Sequence, residues 1–266
     1  MKRASLLLVC TALLATALST PAPARAQVPA DCLGSSPLPP RLTAPYAFVR
    51  LGAVCVNLSP RIVLDPATGL FNLNVLQPLT IGDGRLNRLR VTYKRDPYID
   101  FGLNTANLLF PAASAYEFYF GTPIDPGLYN RATSTGTISV TNGPTGSGAV
   151  AQSGGEEFIT VFGSDGPTLI PLGVDIGTGR CTAVTSPCRY PGPSGGPAST
   201  TFDPVFLDNL EVQVIYRQEG LASEVDLSGR AEVFAVAAVP EPGTALLTAA
   251  GAVALLGGAA ARRRRA

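Results

Sequence analysis

The sequence has no histidine, no tryptophan and one methionine, and only 15% of its 266 residues are charged. Without histidine there is no imidazole for a Ser-His-Asp or Cys-His mechanism, and the commonest metal ligand is missing. Neither a G-x-G-x-x-G stretch nor a P-loop pattern occurs, so no glycine-rich loop is set to cradle a phosphate. Apart from the two ends, no segment keeps apolar residues at helical spacing, which excludes a helix bundle. The missing tryptophan also argues against a dedicated stacking platform for sugar rings. No catalytic centre and no cofactor are therefore expected.

Glycine and proline are plentiful, at 28 and 24 residues. That mixture suits many short strands joined by tight turns. Apolar and polar residues alternate through Phe71, Leu73 and Val75, then Leu89, Val91 and Tyr93, then Tyr116, Phe118 and Phe120. The same period returns in Leu210, Val212, Val214 and Tyr216, and again in Val225, Leu227 and Val233. Each run predicts a strand with one dry and one wet face. Loops are expected at residues 142–148 and 191–197, where breakers cluster. The fold class expected is all-β: one antiparallel β-sandwich, jelly-roll or immunoglobulin-like, of roughly ten to fourteen strands.

The ends differ from this middle. Lys2 and Arg3 precede an apolar run from Ala4 to Leu18, and the segment closes on Ala24-Arg25-Ala26. A basic start, a short apolar helix and small residues at −3 and −1 make a signal peptide. Residues 1–26 are therefore read as a leader, and residues 27–238 as an exported domain that begins with a Pro- and Ser-rich arm. The other end, residues 239–266, reads Val239-Pro240-Glu241-Pro242-Gly243, then uncharged residues from Thr244 to Ala261, then Arg262-Arg263-Arg264-Arg265. As a helix the uncharged stretch, 244–261, rises about 27 Å and just spans a hydrocarbon core of ~30 Å. The arginines after it should stay cytoplasmic, leaving the domain outside. Val239 and Glu241 each precede a proline and are driven toward an extended backbone.

Charge must be counted without the ends. Of 20 basic residues, three lie in the leader and four in the tail, leaving 13; without Glu241, 18 of the 19 acidic residues remain. The exported domain is net −5 on that count, which makes nucleic acid an unsuitable partner.

In its order of Pro-Glu-Pro, short apolar helix and arginine cluster, the tail resembles the PEP-CTERM sorting signal of Gram-negative bacteria. Pro240, Glu241, Pro242 and the arginines 262–265 carry the resemblance. It implies an exosortase as processing partner and inner-membrane anchoring before processing. Afterwards it implies a place on the cell surface or in the extracellular matrix, in association with exopolysaccharide and biofilm. The stretches 96–102, 118–124 and 227–233 are similar to stretches of other proteins with this tail. A non-catalytic surface or matrix protein is the first expectation. A carbohydrate-binding module or carbohydrate-active enzyme on the same scaffold is the alternative.

Cys32, Cys55, Cys181 and Cys188 remain after leader removal, and an even count in an exported chain favours disulfides. Of three connectivities the two local pairs, Cys32–Cys55 and Cys181–Cys188, are expected. No CxxC spacing supports zinc. Loop aspartates 165, 175, 203 and 208 lack the D-x-D-x-D spacing of a calcium loop, so no metal site is assigned. Glu156 and Glu157 are adjacent, and in an extended strand they would face opposite ways. The one patterned surface is Arg88, Arg90 and Lys94 on one face of a strand, beside Arg85 and Arg95. The functional reading is a patch for an acidic exopolysaccharide. The structural reading is a strand face charged against unwanted edge pairing. Tyr119 is a candidate exposed aromatic for stacking on sugars.

Overall fold

The computed structural model describes residues 28, 32, 42–95, 97–109, 112–190 and 197–236. The expected leader at 1–26, the expected sorting motif at 240–242, the apolar stretch 244–261 and the arginines 262–265 lie outside them. Among the described residues no helix is long and apolar enough to cross a membrane.

Fifteen antiparallel strands form in the described residues, more than the ten to fourteen expected. Two of them organise the rest: β8 (Ser114–Thr141) and β14 (Ala198–Glu219). Drawn straight, the 28 residues of β8 would reach about 90 Å at the usual rise. Pro123, Pro126 and Gly127 interrupt it instead. Opposite them, β14 carries Pro204 and two register shifts, between Thr201 and Val205 and between Leu207 and Asn209. Proline cannot donate to a ladder and bulges bend a strand, so the paired strands pass from one layer into another.

The first half of β8 runs between β1 (Tyr46–Leu51) and the second half of β14, which pairs onward with β10 (Ile159–Asp165) and β11 (Thr168–Pro171). On its far side β1 pairs with β2 (Val54–Asn57). The second half of β8 runs beside β15 (Glu224–Ala235), followed in order by β7 (Tyr98–Asn107), β6 (Gly84–Lys94), β4 (Leu70–Val75) and β3 (Ile62–Asp65). Its other side takes β13 (Cys188–Tyr190) and the start of β14. The short strands β5 (Leu79–Ile81), β9 (Ala149–Ala151) and β12 (Arg180–Thr182) extend the margins.

The alternation read from the sequence supplies the core between the layers. Val49, Phe118, Phe120, Val212 and Tyr216 meet Leu89, Val91, Phe101, Leu103 and Leu227, all at 2% exposure or less. Phe101 and Phe120 approach to 5.5 Å between ring centroids. The Tyr93 hydroxyl donates across the core to the Tyr46 carbonyl at 3.0 Å, and that of Tyr116 to Ala106 at 2.6 Å. Close approach is needed where Ile159 meets the opposite layer. A Cβ on Gly136 would lie 2.6 Å from its Cδ1, and one on Gly229 would lie 2.6 Å from Phe101 Cζ.

The wet side of the first layer differs from expectation. Glu211, Gln213 and Ile215 are no more than 9% exposed, although they alternate with core residues. Part of the cover comes from the N-terminal arm: Val28, Cys32 and Leu42 pack with Tyr46, Phe48 and Tyr119 in a second small core. Cys32–Cys55 fixes the arm to β2 with Cα atoms 5.1 Å apart, and Cys181–Cys188 joins β12 to β13 at 6.0 Å. Both local pairings expected from the sequence are present.

Candidate functional site

On the outer face of the second layer the strands bring together residues that are far apart in sequence. Cross-strand register runs from Arg90 on β6 to Gly102 on β7, Ser228 on β15, Thr137 on β8 and Arg189 on β13. At the usual spacing of neighbouring strands, the two arginine Cα atoms stand about 19 Å apart. Between them the floor is made of small and hydroxyl side chains. An added Cβ on Gly102 would meet nothing within 4 Å, so the space above it is open. Two cavities of about 370 and 400 Å³ lie along this row and share Thr137 and Ser228, forming one trough across the strands.

The flanking rows supply the walls. On one side Arg88 pairs with Asn104, and Asp226 of the next strand with both Asn104 and Ser139. On the other, Asp100 and Arg230 are cross-strand partners, with Thr135 beyond. The charges are engaged unequally. Arg88 reaches Asp226 at 3.4 Å in an exposed pair. Arg230 bonds Glu232 at 3.1 Å and lies over the Tyr98 ring at 4.1 Å. Arg90 and Arg189 are exposed, and among the described residues neither has a carboxylate at ion-pair distance. Burial raises the Asp100 carboxyl above its ordinary range, opposed by the Arg230 charge.

Arg88, Arg90 and Lys94 do share the outer face of β6. A register shift between Leu86 and Arg88 lets Leu86 and Leu89 both point inward while Arg88 faces out. Only Arg88 and Arg90 line the trough. Lys94 sits at its margin with its ammonium 5.9 Å from the Tyr98 ring. Arg85 is turned to Asn87, its Nε donating to Oδ1 at 2.6 Å. Sequence reading missed Arg189, Arg230, Thr137 and Ser228 because they lie on other strands. One signal was available: Thr133, Thr135, Thr137, Ser139 and Thr141 occupy every second position, which marks a hydroxyl-bearing face.

Two other expectations are corrected. Tyr119 is 4% exposed, with its hydroxyl donated to Glu117 at 2.6 Å, because the N-terminal arm covers it; it offers no stacking surface. Glu156 and Glu157 do not lie in an extended strand. They follow a turn and line one cavity of about 150 Å³ with Asp175, so strand alternation does not separate them. Burial and the charges of Glu117 and Glu157 raise the Glu156 carboxyl, and burial raises Asp175 despite its bond from the Val161 amide. Asp208 accepts the Gly166 amide and the Asn209 side chain. Among the described residues no group of three or more Cys, Asp or Glu side chains is placed to hold a metal ion.

A second buried acid beside Asp208 is Glu211 on β14. Its Oε2 accepts the Tyr46 hydroxyl at 2.7 Å, and Ser164 also bonds it. Asn209 links the same cluster to the arm: its Oδ1 accepts the Leu42 amide at 3.2 Å, while its Nδ2 donates to Ser164 at 2.8 Å. Burial pushes the Glu211 carboxyl up to about 7, helped by the nearby Asp208 charge and opposed by the two hydroxyl bonds.

No family model matches the chain, and no curated protein matches it either.

Proposed function

We propose that this chain is a non-catalytic exported protein of the cell surface or extracellular matrix of a Gram-negative bacterium. Its C-terminal signal at Pro240, Glu241 and Pro242 is cut by an exosortase, and the protein works in association with exopolysaccharide. The observation that carries the reading is the tail itself, with its three parts in order after a disulfide-stapled β-domain. Disulfides persist in oxidising compartments, which supports export. Before processing, the stretch 244–261 holds the chain in the inner membrane. The two sandwich types expected from the sequence, jelly-roll and immunoglobulin-like, both stay open, since fifteen strands exceed the about eight of the one and the about seven to nine of the other.

A second reading, a carbohydrate-binding module, is favoured by the trough with its hydroxyl floor and two arginines that have no carboxylate at ion-pair distance among the described residues. Both readings share the sorting step, which is tested directly. Mass spectrometry of surface-extracted protein should find a C-terminus near residues 240–242 and no peptide containing Arg262 to Arg265. Intact tails in a strain with an active exosortase would overturn the assignment.

A further inference from the structure

We propose that the trough is a binding site for one acidic heteropolysaccharide chain, laid across the strands, in which uronates are separated by neutral sugars. The inference rests on the preceding reading only for where such a chain would be met. Of the four arginines lining the trough, Arg90 and Arg189 have no carboxylate at ion-pair distance among the described residues, and they stand at opposite ends of the row. A guanidinium binds a planar carboxylate through two parallel bonds, so each end can hold one uronate. Between them Ser228 and Thr137 can donate to and accept from sugar hydroxyls, and Asp100 and Asp226 on the walls can accept from them.

The same features exclude other polymers. Stacking of neutral sugars needs a free aromatic face, and the Tyr98 ring is covered by Arg230 at 4.1 Å. A nucleic acid strand carries a charge at about every 3.4 Å, and would set phosphates against Asp100 and Asp226. Charges spaced by neutral sugars avoid both carboxylates while meeting both arginines. Lys94 lies beyond the trough, so the arginine-bearing row, more than β6 as a whole, is the recognition element.

The test uses the full chain in mild detergent and three polymers: gellan, in which uronates recur among neutral sugars, carboxyl-reduced gellan, and single-stranded DNA. Gellan should bind, and reduction of its carboxylates should weaken binding by about tenfold or more, the usual scale for losing a charge-assisted bond. Arg90→Ser and Arg189→Ser should each cost about tenfold on the same scale, while Lys94→Ser leaves affinity unchanged. Gly102→Leu adds no charge and meets open space, so it should keep the wild-type urea midpoint and abolish binding by filling the floor. If that variant proves destabilised, Arg189→Gln replaces it as the deciding measurement. Undiminished binding by Gly102→Leu, equal losses from Lys94→Ser and Arg90→Ser, DNA bound as tightly as gellan, or no gellan binding would each overturn the trough assignment. The sorting reading would survive any of these, because it is tested by the C-terminal cut.

Discussion

Replacing Glu211 by Gln should change how stability depends on pH more than any other single substitution in the described domain. Glu211 is 9% exposed and its carboxyl stands near 7, against an ordinary 4.5. The first cause is burial, which penalises the charged form, and the Asp208 charge adds to it. In the unfolded chain the group ionises near 4.5; in the folded protein it keeps its proton up to about 7. Between those values the folded state holds the extra proton, so stability is full below pH 4.5 and falls as pH rises toward 7, then levels. At 1.36 kcal/mol for each pH unit, the loss between pH 4 and pH 8 is about 3 kcal/mol. Gln keeps an acceptor for the Tyr46 hydroxyl and carries no charge at any pH. Urea unfolding of wild type and Glu211→Gln, followed by tyrosine fluorescence at pH 4 to 8 with disulfides intact, separates this term, since other groups cancel in the difference. The variant should gain on the wild type by about 3 kcal/mol across that range. A difference that stays flat within about 0.5 kcal/mol would refute the reasoning, by showing that Glu211 ionises in the folded protein as easily as in the unfolded one.

Cys55→Ser should free the arm from β2, lower stability by about 3 kcal/mol on loop entropy, and bare Tyr119 to a collisional quencher; unchanged quenching would mean the arm holds without its bridge. Gly229→Ala should destabilise by about 1–3 kcal/mol, because its Cβ would press on the Thr135 carbonyl and the Phe101 ring; a wild-type thermal midpoint would show that the layers give way there. Replacing Arg88, Arg90 and Lys94 together by Ser should shift stability by no more than about 0.5 kcal/mol for each site, since exposed pairs such as Arg88–Asp226 contribute little. A larger loss in urea unfolding would show that the β6 face is structural.

The strands were legible in the sequence because alternation is a local property. Tyr116, Phe118 and Phe120 report their own burial through spacing alone, and so do Leu89, Val91 and Tyr93. The disulfides were legible from spacing too, since short loops close most readily. The opposite faces were not. Glu117, Tyr119, Glu211 and Gln213 carry the pattern of a wet side, and only the arm held by Cys32–Cys55 turns much of that side into interior. Covering a sheet depends on a segment some eighty residues or more away from the strands it covers, and no local period records it.

The candidate site divides the same way. The sequence by itself determined that β6 carries outward cations at positions 88, 90 and 94, because the period of two fixes which side chains share a face. It also carries the motifs from which a leader, a β-domain and a sorting tail, in that order, are proposed. Tertiary structure alone decided that Arg90 is aligned with Gly102, Ser228, Thr137 and Arg189. Register between strands of one sheet is a long-range choice, set here by how the two bent strands β8 and β14 seat their inward rows against the opposite layer. A slip of one residue would turn every one of these side chains to the other face. The core therefore fixes the register, and the register assembles the trough on the side facing away from it.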